Sequence, residues 1–380
     1  MDFSVEIYKI IEGALKHDDE KVINYTKLMI DNLQKCNNVR QAKMLEKVIS
    51  NSSVKKNQII TNNVINIPLD KESRLPIADV FYPNQLIDEV IYLNEENQRN
   101  INTFIEYYNS RNEIFKEGYQ IPNSILLFGP PGTGKTKLAK YLCSKIQLPL
   151  VVARLDGVIS SYLGSTAKNI RQLFDFAQRV PCILFLDEFD AIAKIRDDEH
   201  ELGELKRVVN SLLQNIDNLN NGSIIIAATN HENLLDPAVW RRFGFKLKID
   251  VPDDKSRFEI IKYFLDDNSF YKKYGNHLNI LFNNFSGADI EEIIKKSKID
   301  AIVYKTDLSV NIISNHYFQF LSMRNLIDLS SNDKNSTNIK IKYLRDLDSK
   351  LFSYATIGDF VEKSKSYVSA VLNESDGDNQ

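Results

Sequence analysis

Residues 124–137 read Ser-Ile-Leu-Leu-Phe-Gly-Pro-Pro-Gly-Thr-Gly-Lys-Thr-Lys (SILLFGPPGTGKTK), and this stretch decides the fold. Ser124 to Phe128 is a short apolar run suited to a buried strand. Gly129 to Thr136 fits the phosphate-loop pattern G-x-x-x-x-G-K-[ST], and a helical pattern follows from Lys137. The chemistry needs each part. Gly129, Gly132 and Gly134 let the backbone wrap around an anion, because no Cβ blocks positive φ or close approach. Pro130, Pro131 and Thr133 complete the loop, whose amides converge on phosphate beside a helix N-terminus. Lys135 supplies a cation to the β- and γ-phosphates, and Thr136 a hydroxyl to Mg²⁺.

Outward from this loop, strands alternate with helices. Leu148–Leu155, Cys182–Leu186, Ser223–Ala228 and Phe245–Val251 read as strands. Thr166–Gln178 and Glu204–Ile216 read as helices with one apolar face. Such alternation predicts an α/β fold, a parallel sheet covered on both faces. In such a sheet, ligands bind beyond the carboxyl ends of the strands. The phosphate loop, Asp187-Glu188 and Thr229-Asn230 all follow strand ends. Alone, an acidic pair after a strand is a turn or a helix cap. About fifty residues beyond a phosphate loop it fits a metal-organising Asp187 and a water-activating Glu188.

The chain of 380 residues is long enough for two or three domains. A net charge of −3 argues against a nucleic-acid footprint spread over the whole protein. The three cysteines, Cys36, Cys143 and Cys182, are far apart and suggest a reducing compartment. No apolar run approaches the roughly 20 residues a membrane helix needs. The N-terminus lacks the basic start and apolar core of a signal peptide, so cytoplasm is the expected location and no membrane partner is expected.

In combination these motifs resemble those of the AAA+ ATPases, specifically the AAA clade, over about Leu75 to Tyr304. Gly129–Thr136 is similar to the family's Walker A motif and Ile183–Glu188 (ILFLDE) to its Walker B. Asn230 is similar to sensor 1, and Asp236–Phe243 (DPAVWRRF) to the segment carrying the arginine fingers. Gly287 and Ala288, in Phe285–Ile290 (FSGADI), resemble the lid residues near adenine and ribose. The resemblance implies ATP and Mg²⁺ as ligands. It implies catalytic roles for Lys135, Glu188 and Asn230, metal roles for Thr136 and Asp187, and trans-acting roles for Arg241 and Arg242. Fingers acting in trans imply a homo-oligomeric ring, typically a hexamer. The chain departs from many relatives at Trp240-Arg241-Arg242-Phe243, which lacks an inserted Pro-Gly. It departs again at Asp217-Asn218-Leu219, where many have Asp-Gly.

Tyr162-Leu163-Gly164 is similar to the clade's aromatic–hydrophobic–Gly pore loop, which implies a protein substrate threaded or remodelled by ATP hydrolysis. Arg196–Glu201 is either a second channel loop or a solvated charge run. The expected organisation is a helical N-terminal unit (1–50), which docks a partner or simply packs, and a linker (51–74). A large α/β ATPase subdomain (75–252), a helical lid (253–305) and a helical or linker stretch (306–338) follow. A helix-turn-helix-like unit (339–374) and an acidic tail (375–380) complete the chain.

In Tyr354–Leu372, Gly358 fits the small-residue position and Ser364 caps a second helix. Lys365, Ser366, Tyr367 and Ser369 are expected on its exposed face. The unit reads equally as a DNA-binding module or as a plain helical hairpin. This layout resembles bacterial single-module AAA ATPases often paired with a subtilisin-like serine protease, some of them associated with phage defence. The alternative to protein threading is an ATP-driven switch that reads DNA and controls a partner.

Overall fold

In a computed structural model of the chain, the described residues are 4–15, 19–36, 38, 41–46, 68, 76–87, 89–154, 163–193, 202–219, 222–329 and 333–377. Six strands form one sheet: β1 (Ala78–Phe81), β2 (Ser124–Phe128), β3 (Leu150–Ala153), β4 (Ile183–Leu186), β5 (Ile224–Thr229) and β6 (Phe245–Lys248). Their order is β1-β3-β4-β5-β2-β6, all parallel except β1, which runs antiparallel to β3. Alternate residues feed opposite faces, as the pleat requires. Ile125 and Leu127 pack with Phe104 and Leu142 on one side. Leu126 packs with Phe174 and Leu212 on the other. Both faces are therefore buried, which is why β2, β4 and β5 read as unbroken apolar runs. Because β4, β5 and β2 are neighbours, their carboxyl ends lie side by side.

β1 lies in the LPIADVFYP segment, which carries no strand signal of its own. It is an edge strand held by its pairing of Ala78–Phe81 with β3. A helix between β1 and β2 spans Glu95–Asn109. The Asn94 side chain accepts from the Asn97 amide and caps the helix, leaving Val90 and Leu93 outside it. Leu163 and Gly164, expected in a loop, begin the helix Leu163–Arg179. Tyr162 and Arg196–Glu201 lie outside the described residues, as does the 51–74 linker apart from residue 68.

The helices beyond β6 revise the expected division more deeply. Lid helices Asp254–Leu265, Asn268–Leu281 and Gly287–Val303 share one core with Val310–Met323, Asp333–Leu347, Tyr354–Val361 and Lys365–Gly377. Phe282, Tyr317, Phe318, Phe352 and Phe360 are all fully buried within it. The region after residue 305 is thus an enlargement of the lid, and the C-terminal pair is not a free-standing unit. At the N-terminus, helices Ser4–Leu15 and Asp19–Lys35 pair as a hairpin over a small core of Ile30, Leu33 and Ala42.

Candidate active site

The phosphate loop is held by contacts that only glycine permits. Gly129 has a φ of 133°, and a Cβ there would lie 2.4 Å from the Ile249 carbonyl oxygen. Gly132 has a φ of 76°, and a Cβ would lie 2.6 Å from the Ser286 hydroxyl. The loop is braced inside by Thr133, whose hydroxyl donates to the Pro130 carbonyl at 2.9 Å. The Lys135 ammonium, on the first residue of helix Lys135–Ile146, is turned back on the loop and donates to the carbonyls of Gly129 and Pro130 at 2.8 and 2.7 Å. Burial pulls its pKa below the ordinary lysine value, against the opposing pull of Asp187 and Glu232. A phosphate chain would supply the anion this buried cation lacks.

Asp187 follows β4, and its carboxylate accepts from the Thr136 hydroxyl at 3.0 Å. These two are hard oxygen donors of the kind Mg²⁺ takes, so the residues present fit that ion. The other Asp187 oxygen accepts from the Glu188 amide at 2.9 Å. Glu188 itself has left-handed backbone, φ 46°, and an exposed side chain. Strain of this kind in a non-glycine residue persists where the surroundings over-determine it, often at active sites. Asn230 follows β5. Its side-chain oxygen is buried without a hydrogen-bond partner, which marks a group shaped for a missing ligand.

The lid closes on the loop directly. Ser286 caps helix Gly287–Val303, and the Ala288 amide donates to the Gly132 carbonyl at 3.1 Å. Between loop and lid lies a pocket of about 340 Å³. Lys135, Thr136, Asp187, Glu188 and Asn230 line its polar end. Ile91, Tyr92, Ile260, Tyr263 and Phe264 line an apolar, aromatic one. Gly287 and Ala288 also face it, with Pro131, Gly132, Thr133 and Gly134; Gly129 and Pro130 shape the loop from behind.

Sequence reading does not find the aromatic end. Phe264 reads as a lid-core residue, and Tyr92 and Tyr263 carry no motif. The cap at Asn94 is the one local signal that the chain before it is extended and free to border a pocket. Lys137 and Glu291 also line the pocket and were not foreseen.

Arg241 and Arg242 are brought together but kept away from this pocket. Both are exposed, and neither lines it. Their segment is anchored from behind. Asp236 caps Ala238, Trp240 packs edge-on to Phe128 of β2 at 5.0 Å, and Phe243 packs on Phe189 at 5.7 Å. Arg242 is tied to Asp217 at 2.9 Å, whereas Arg241 has no ion pair among the described residues.

Fold and site together define a P-loop nucleotide-binding domain with a helical lid. Residues 125–251 match the family described as "ATPase family associated with various cellular activities (AAA)", so this segment is an AAA-family ATPase domain.

The chain is similar to an uncharacterized AAA family ATPase, y4kL, of Sinorhizobium fredii, with 47% identity over 43% of this chain and 49% of that protein. It is similar to the proteasome-activating nucleotidase of Methanopyrus kandleri, with 32% identity over 64% and 58% of the two chains. The ATP-dependent zinc metalloprotease FtsH 2 of Bdellovibrio bacteriovorus is 33% identical over 56% of this chain and 36% of its own. The chain spans less than two thirds of the length of each of these relatives.

Proposed function

We propose that this protein hydrolyses Mg²⁺-ATP within a homo-oligomeric ring, typically a hexamer, and uses the reaction to thread or remodel protein substrates. The observation that carries the reading is the split of the catalytic groups. Lys135, Thr136, Asp187, Glu188 and Asn230 converge on one pocket, while Arg241 stands exposed on a braced segment away from it. An arginine so placed serves a neighbour's nucleotide, in a head-to-tail ring.

In this reading Lys135 leaves the loop carbonyls for the phosphates. Thr136 and Asp187 would hold Mg²⁺, which would supply charge neutralisation for the phosphates. Glu188 orients the attacking water and draws on its proton. Asn230 offers its unpaired side-chain oxygen to the water, and Arg241 of the next copy meets the charge that develops on the γ-phosphate.

Protein as the substrate rests on the similarity of Tyr162-Leu163-Gly164 to a pore loop and on relatives whose names refer to a proteasome and a metalloprotease. Pairing with a subtilisin-like serine protease, and a cytoplasmic location, extend the same proposal. Among the described residues no helix is long and apolar enough to cross a membrane. The DNA-switch reading has one observation behind it. A Cβ on Gly358 would lie 2.5 Å from the Lys363 carbonyl oxygen, so the turn is as tight as a helix-turn-helix. Against it, Tyr367 is half-buried, with its hydroxyl on Asn338 at 3.2 Å, and Ser369 is half-buried too, contrary to the expected open recognition face.

The test is Glu188→Gln. Turnover should fall by about tenfold or more while ATP binding persists. Light scattering on the ATP-loaded variant should show an oligomer. Near-normal turnover would contradict the role of Glu188.

A further inference from the structure

We propose that Glu291, a lid residue, reads the ribose of the bound nucleotide by accepting hydrogen bonds from its hydroxyls. This rests on the ATP reading above. The pocket holds three carboxylates among its lining residues: Asp187, Glu188 and Glu291. The first two stand at the phosphate end. Glu291 stands apart from them, on helix Gly287–Val303.

Two bearings fix its place along the nucleotide. Ala288 bonds to Gly132 of the phosphate loop, and Glu291 lies one turn further along the same helix face, about 5 Å on. Glu291 Oε2 also accepts from the Lys137 ammonium at 2.7 Å, and Lys137 directly follows Thr136. Both bearings put the carboxylate beside the phosphate loop, in a pocket whose lining also holds Tyr92 and Tyr263, whose rings suit the base. The part of a nucleotide between phosphates and base is the ribose.

The chemistry agrees. Burial alone would raise the Glu291 carboxyl, but hydrogen bonds from Lys137 and Lys295 outweigh it and hold the group below its ordinary value. An ionised carboxylate donates nothing and has about four acceptor positions, two of which the lysines use. The remainder suit the paired 2′- and 3′-hydroxyls, as an acidic residue does in other nucleotide sites. Lys137 belongs to the loop helix and Glu291 to the lid, so ribose recognition would also fasten one to the other.

The test is equilibrium titration of the full chain in EDTA, with turnover excluded. The probes are ADP, 2′-deoxy-ADP, 3′-deoxy-ADP and the 5′-diphosphate of purine riboside, which lacks the base amine. Wild type should bind at least one deoxy analogue about tenfold more weakly than ADP. Glu291→Ala should lose a similar factor for ADP and show no further loss with that analogue. Glu291→Gln keeps an acceptor oxygen and the side-chain length, and should retain part of the discrimination. Three results would each overturn the proposal: equal binding of ADP and both deoxy analogues by wild type, the full wild-type ratio kept in Glu291→Ala, or a Glu291-dependent loss seen only with the purine riboside probe. Wild type that binds no adenine nucleotide would instead overturn the ATP reading beneath it.

Discussion

Gly129 shows how little freedom the nucleotide site leaves a single residue. The Ile249 amide donates to the Phe128 carbonyl at 2.8 Å, which fixes the strand edge against the loop. A methyl group at residue 129 would strike the Ile249 carbonyl in a backbone conformation that L-residues avoid. Gly129→Ala should therefore destabilise the protein by ~1–3 kcal/mol and abolish nucleotide binding, read by thermal unfolding and by titration. Unchanged values for both would mean that the loop relaxes elsewhere.

Residues of this kind were legible because phosphate chemistry fixes both type and spacing. The roles proposed for Lys135, Thr136, Asp187, Glu188 and Asn230 each ask for a narrow set of residue types at a set place along the chain. The nucleoside end was not legible for the opposite reason. Any apolar surface serves a base, so Tyr92, Tyr263 and Phe264 look like packing residues until the lid is placed over them.

At the scale of elements, the sheet followed from its apolar runs, whose faces are both covered. The edge strand β1 did not, because its pairing with β3 is a tertiary fact. The C-terminal helices were recognised one by one, and their turn was found at Gly358 and Ser364. Their dependence on the lid was hidden, since helical spacing shows that a face is apolar and not what covers it. Phe360 makes the dependence testable. It is fully buried against Tyr274 of the lid helix Asn268–Leu281 and against Phe352. Phe360→Ala should cost ~3–5 kcal/mol and broaden or lower the unfolding of the whole lid region, followed by hydrogen exchange in helices Asn268–Leu281 and Val310–Met323. Exchange confined to residues 354–377 would show instead that the C-terminal helices are an independent unit.

For the whole molecule, a single pocket among the described residues is lined by every proposed catalytic group except the arginines. Arg242 is held by Asp217 within its own chain, so the proposed ring would use Arg241 as its trans-acting finger. The proposed ring is not written in any spacing or periodicity. It rests on an exposed arginine that does not line its own pocket.

The most direct measurement mixes two inactive proteins. Glu188→Gln has a disabled pocket and an intact finger, and Arg241→Ala has the reverse. Each alone should bind ATP with little turnover. In an equal, randomly exchanged mixture about a quarter of the sites pair an intact pocket with an intact finger. ATPase activity should then rise well above the mean of the separate proteins. A mixture no more active than that mean, with light scattering showing mixed oligomers, would contradict a site completed in trans by Arg241.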